Sequence, residues 1–111
     1  MIKSNIEKLR EPVWFTPFPD TDENPDEIEV QLVPAATAEV ANSLFRGDDT
    51  FCREAFINFK GYWEDKGKTK PVANTLEHRL ELMKWDAFRN AVRVQMGVYN
   101  EAIVRGEDLG G

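Results

Sequence analysis

The chain has 111 residues, a length that suits one domain, and 41% of them are hydrophobic, which is enough apolar material for one core and argues against global disorder. Twenty acidic residues against fourteen basic ones leave a formal net charge of −6. That balance argues against docking on the phosphates of nucleic acid or on an anionic membrane. No apolar run approaches the roughly 20 residues needed to span a bilayer, and the opening MIKSNIEKLREP lacks the apolar centre of a signal peptide. Cys52 is the only cysteine, so no internal disulfide can form, a reducing compartment fits, and the residue reads as a small core side chain.

In chain order, residues 1–12 form an arm or a short helix, with Ile2, Ile6 and Leu9 at helical spacing and Pro12 as its stop. One domain is expected over residues 13–105, and residues 106–111 (GEDLGG) read as a frayed tail. Val13 to Phe18 reads as a short strand. The acidic loop from Pro19 to Glu27 leads into a second strand, whose alternation places Ile28, Val30 and Leu32 on one face. The two together predict a loose β-hairpin.

Thr37 is placed to cap a helix with Glu39 in its first turn, an inner stripe of Ala36, Val40, Leu44 and Phe45, and a stop at Gly47. Residues 50–60 fit a helix through Phe51, Ala55 and Phe59, and a strand through Ile57 and Phe59. The favoured reading is helix first, then an extended turn through Gly61. Asp65-Lys66-Gly67 is a turn signal. Asn74 and Glu77 have capping-box spacing, with Thr75 between them as a second possible cap.

Two apolar stripes follow: Leu76, Leu80 and Met83, then Phe88, Val92, Met96, Tyr99 and Ile103. On one straight helix they would sit about 80° apart, so two helices broken near Trp85-Asp86 are preferred to one helix roughly 46 Å long. With Ala91, Val94, Val98 and Ala102 added, the last helix carries an apolar arc of roughly 200°. Such a helix must be sandwiched or must meet another chain. Gln95 lies inside the arc, either bonded across the core or at an oligomer contact. The fold class is therefore α+β: a small N-terminal β-hairpin followed by three or four α-helices.

The chemistry-bearing residues are sparse. Asp20, Asp22, Asn24 and Asp26 fall at the first, third, fifth and seventh positions of an EF-hand count. Pro25 stands where that loop needs Gly, and Gln31 stands where it needs a bidentate Glu, so a solvated loop is the better reading. His78 is the only histidine, and with Cys52 it cannot make a zinc site. No nucleophile elbow or phosphate-cradling glycine run occurs. No catalytic residue, metal or cofactor is expected. Lys66, Lys68 and Lys70 alternate beside Trp63, a pattern that suits protection of an edge strand better than contact with nucleic acid in so acidic a chain. Of Trp14, Trp63 and Trp85, one partly exposed ring would serve a protein partner.

The order of features resembles the tail assembly chaperones of long-tailed bacteriophages and prophages, over about residues 13–105. The resemblance rests on the Trp-containing opening strand with its acidic loop, the alternating strand EIEVQLVP, the helix start Thr37-Ala38-Glu39, the segment NFKGYWEDKGK and the helix start Asn74-Thr75-Leu76-Glu77. It implies a non-enzymatic protein of the bacterial host cytoplasm. Such a protein binds the tape measure protein, helps recruit tail tube subunits and is absent from the finished virion. The alternative is a structural phage protein, a head–tail connector or tail-completion factor retained in the virion. Client or self contact is expected at Trp63, Trp85, Val94, Gln95, Val98 and Ala102, and a homo-oligomer is compatible with the same face.

Overall fold

The computed structural model describes residues 10–18, 28–46, 48–65 and 67–107. The expected N-terminal arm up to Leu9, the whole acidic loop from Pro19 to Glu27, the stop at Gly47 and the end beyond Glu107 lie outside these residues. Nine elements follow in chain order: β1 (Val13–Phe15), β2 (Glu29–Leu32), α1 (Ala38–Arg46), α2 (Thr50–Glu54), β3 (Phe56–Lys60), β4 (Tyr62–Asp65), β5 (Lys68–Pro71), α3 (Leu76–Met83) and α4 (Asp86–Arg105). The architecture is α+β, with the expected hairpin and four helices among the described residues.

β2 is the centre of a three-stranded antiparallel sheet in the order β1-β2-β3. Val13 pairs with Leu32 and Phe15 with Val30, so these four side chains share one face. Val30 and Leu32 are completely buried, as the alternation of the strand requires. Each such side chain contributes about 1.5–3 kcal/mol relative to exposure. The other face carries Trp14, Glu29, Gln31, Asn58 and Lys60, and the Lys60 ammonium sits 4.7 Å from the Trp14 ring centroid.

β3 corrects the expected extended turn. Its register against β2 is broken once: Gln31 opposes Asn58, but Leu32 opposes Phe56, leaving Ile57 as the extra residue of a bulge. The bulge lets Phe56 and Phe59, three residues apart, both face the core; they are 0% and 4% exposed, with ring centroids 6.2 Å apart. Without it, strict alternation would send one of the two to solvent. β4 and β5 form a separate two-stranded ribbon, closed at Gly67 with φ +76°, the left-handed region that favours glycine. The turn signal at Asp65-Lys66-Gly67 thus marks a hairpin. Lys68 and Lys70 stand on its second strand, which pairs only with β4 among the described residues.

α1 starts at the expected cap, where the Val40 amide donates to the Thr37 hydroxyl at 3.3 Å. Its inner stripe holds Val40, Ser43 and Leu44, while Phe45 is 68% exposed and does not belong to it. At α3 the cap is Thr75, whose hydroxyl accepts from the His78 amide at 3.1 Å, so the Asn74–Glu77 box does not form. Asn74 instead donates to the Ile57 carbonyl at 3.2 Å and accepts from Arg79 at 2.6 Å. Arg79 Nε also donates to the Cys52 carbonyl at 3.0 Å. This network fixes the start of α3 to the corner where α2 runs into β3.

The preferred break between α3 and α4 is present. Trp85 takes an extended conformation, φ −82° and ψ 124°, which ends one helix and starts the next. α4 closes with a Schellman motif: Gly106 has φ 69°, its amide donates to the Ile103 carbonyl, and the Glu107 amide donates to the Ala102 carbonyl at 2.8 Å. The first two residues of the expected tail are therefore part of the helix end. One core joins the layers. It contains Val30, Leu32, Phe51, Phe56, Phe59, Phe88, Val92, Met96 and Tyr99, and the Phe56 and Phe88 centroids lie 5.7 Å apart.

Candidate functional site

α4 is 20 residues long, about 30 Å, and its apolar arc is divided by the fold. Phe88, Val92, Met96 and Tyr99 recur at spacings of four, four and three, and all are buried. Val94 and Val98, one turn apart, point elsewhere and are 52% and 49% exposed. The helix is therefore not sandwiched: among the described residues nothing covers the Val94–Val98 face. Immediately beyond it Arg105 pairs with Glu101 at 3.6 Å, a surface pair of small energetic weight.

The six expected contact residues separate accordingly. Trp85 is 70% exposed at the start of α4, and Val94 and Val98 form its open face. Gln95 is half-buried beside the core stripe. Ala102 is 9% exposed, on the protected side of the helix, away from Val94 and Val98. Trp63 stands on β4, its backbone paired with Lys70, in a ribbon whose contacts are chiefly internal. The structure thus groups Val94 with Val98, sets Trp85 at the helix start, and places Trp63 on a different element.

Other apolar side chains are exposed as well. Phe45 on α1 and Val104 near the end of α4 are strongly exposed. Phe45 was expected inside, because its spacing from Leu44 is ambiguous at the edge of a helical stripe. Its exposure leaves α1 with an aromatic ring in water, next to the helix end where Arg46 pairs with Asp48 at 3.1 Å. That contact and the Thr50 amide hold the Asp48 carboxyl below its usual range, the amide being the larger influence.

No constellation for catalysis or metal binding emerges from the described residues. No group of three His, Cys, Asp or Glu side chains is placed to hold a metal ion. Cys52 is buried in the core, and burial pushes its thiol up to about 11, so it is neutral and unreactive at physiological pH. His78 is half-buried, with Nδ1 2.7 Å from the Ala73 carbonyl oxygen at the start of α3. Tyr99 buries its hydroxyl without a hydrogen-bond partner, and burial raises its pKa; the Gln95 amide, one turn back, tempers the shift without completing a bond. No described helix is long and apolar enough to cross a membrane.

No protein-family model matches this chain, and no curated protein or solved structure shows significant similarity to it.

Two features escaped the sequence reading. One is the Arg79 network, whose bonds to Cys52 and Ile57 bridge 27 residues and, through Asn74, 17 residues; no local spacing announces them. The other is Arg89. It sits one residue after the core Phe88, and its Nε is buried without a hydrogen-bond partner. An arginine flanked by apolar positions on a helix is the available signal, since its stem must pass along the core edge.

Proposed function

We propose that this chain is a non-enzymatic assembly chaperone of the phage-tail kind, which binds a tape measure protein in the host cytoplasm and aids recruitment of tail tube subunits. The observation that carries the reading is the open Val94–Val98 face of α4 on a chain of net charge −6. A protein that keeps a long apolar client soluble needs accessible apolar surface to hold it, and like charge to keep the complexes apart. Trp85 and Phe45 are exposed as well, and aromatic rings are the side chains that most often anchor such contacts. The resemblance in motif order points the same way. The same face also serves self-association when no client is present.

The test is co-expression of this chain with the tape measure protein of the phage or prophage that encodes it. The proposal expects the tape measure protein to become soluble and to co-purify, and this chain to be missing from purified particles. A client that precipitates while this chain stays soluble contradicts the proposal. Retention in intact particles would instead identify a connector or tail-completion component.

A further inference from the structure

We propose that the cavity where α1, α2, α3 and α4 meet binds a small amphipathic monocarboxylate, a single-ring or short-chain acid. Its apolar body would rest on Leu44, Phe51, Leu80 and Met83, and its carboxylate would meet Arg89. This site is separate from the Val94–Val98 face and does not depend on the chaperone reading.

The cavity has a volume of about 210 Å³. An apolar cavity of about 150 Å³ accommodates benzene, so this one holds a ring or a chain of about six carbons with a small polar head. Its floor is apolar: Leu44, Phe51, Cys52 and Met83 are all buried, and Leu80 is packed against the core. The Cys52 thiol in that floor is neutral and does not repel an anion.

The polar groups around the cavity are occupied, with one exception. The Ser43 hydroxyl donates to the Val40 carbonyl at 2.6 Å. The Asp48 carboxylate accepts from Arg46 at 3.1 Å and from the Thr50 amide at 3.0 Å, so its charge is met. Lys84 lies 4.0 Å from Glu81 at the exposed rim. Arg89 alone is left, with a buried Nε that has no acceptor.

The contrast with the other helical arginines is sharp. Arg46, Arg53, Arg79, Arg93 and Arg105 each have an oxygen acceptor from a carboxylate, an amide or a carbonyl. Arg89 also borders a neighbouring cavity of about 180 Å³ between α1 and α4. A buried donor on a cationic group costs free energy until an acceptor arrives, and a carboxylate supplies both the acceptor and the opposite charge. In a chain of net charge −6, a guanidinium without a carboxylate is not explained by a shortage of acids. The apolar floor fixes the rest of the ligand.

The experiment is calorimetric titration of the full chain with benzoate and hexanoate, and with their uncharged counterparts benzyl alcohol and hexan-1-ol. Methyl NMR of Met83 locates the site. The proposal expects one saturable site for the acids, shifts at the Met83 methyl, and binding at least tenfold weaker for the alcohols. Arg89→Gln should weaken the acids about tenfold, and Arg53→Gln should leave them unchanged. Absence of saturable binding at millimolar acid, equal binding of acid and alcohol, or binding that leaves Met83 unmoved overturns the proposal. If Arg89→Gln fails to fold, the acid–alcohol comparison on the unaltered chain still decides. If the unaltered chain binds no free acid but captures peptides ending in a carboxylate, the small-molecule site is wrong.

Discussion

Val92 and Val94 are the same residue type, two positions apart on one helix, and the fold treats them in opposite ways. Val92 is completely buried and Val94 is 52% exposed. Helix propensity and side-chain volume are equal at the two sites, so neither explains the difference. What decides is the partner: the stripe of Phe88, Val92, Met96 and Tyr99 meets the core built by the bulged β3 strand and α2, while Val94 and Val98 meet nothing described. An apolar side chain on a helix states that burial is favourable. It does not state whether the chain itself or another molecule provides the burial.

Substitutions on the two faces should therefore separate widely. On the buried face, Phe88→Ala removes the ring that packs against Phe56 at 5.7 Å and should cost about 3–5 kcal/mol, read as a fall in the denaturant midpoint. A loss below about 1 kcal/mol would mean that α4 is not docked as described.

The core should also respond to alkali. Because the Cys52 thiol is raised from 9.0 to about 11 in the fold, the unfolded chain loses this proton first. The associated stability is complete below pH 9 and is lost as the pH rises through about 11, amounting to at most about 2–3 kcal/mol. Tyr99, raised from 10.0 in the same direction by burial, adds to the loss from about pH 10 upward. Cys52→Ala should flatten the stability profile between pH 9 and 11, whatever its effect at pH 7. An unchanged slope would place the thiol in water.

A smaller effect is expected at the edge of the buried face. Tyr99→Phe deletes a hydroxyl that has no hydrogen-bond partner, so stability should hold or rise by up to about 1 kcal/mol. A loss above that size would reveal a partner for the hydroxyl. On the open face, Val94→Asp and Val98→Asp should each change the stability of the isolated chain by no more than about 0.5 kcal/mol. A larger loss would show that the face is covered.

The sequence made much of this legible, and the limits have physical causes. The first hairpin could be read because β2 alternates strictly and turns one face to the core. The α3–α4 break could be read because two apolar stripes out of phase cannot share one straight helix. β3 stays between helix and strand, because its bulge places Phe56 and Phe59 three residues apart on one side, a spacing that imitates a helix. The Asn74 box failed because the adjacent Thr75 offered its hydroxyl at the same spacing and left Asn74 for the Arg79 network. For the candidate surface, residue spacing defined an arc with no orientation. It could not say that Ala102 would turn inward while Val94 and Val98 stayed out, since that depends on how the helix rolls against its neighbours.

The central claim is that the open side of α4 holds an apolar client. The most direct measurement is the soluble yield of a co-expressed tape measure protein with the unaltered chain and with the Val94→Asp/Val98→Asp double variant. The account predicts a soluble complex with the former, and loss of most of that yield with the latter, although the double variant itself remains folded. Equal yields with both chains would contradict the assignment of this face to the client.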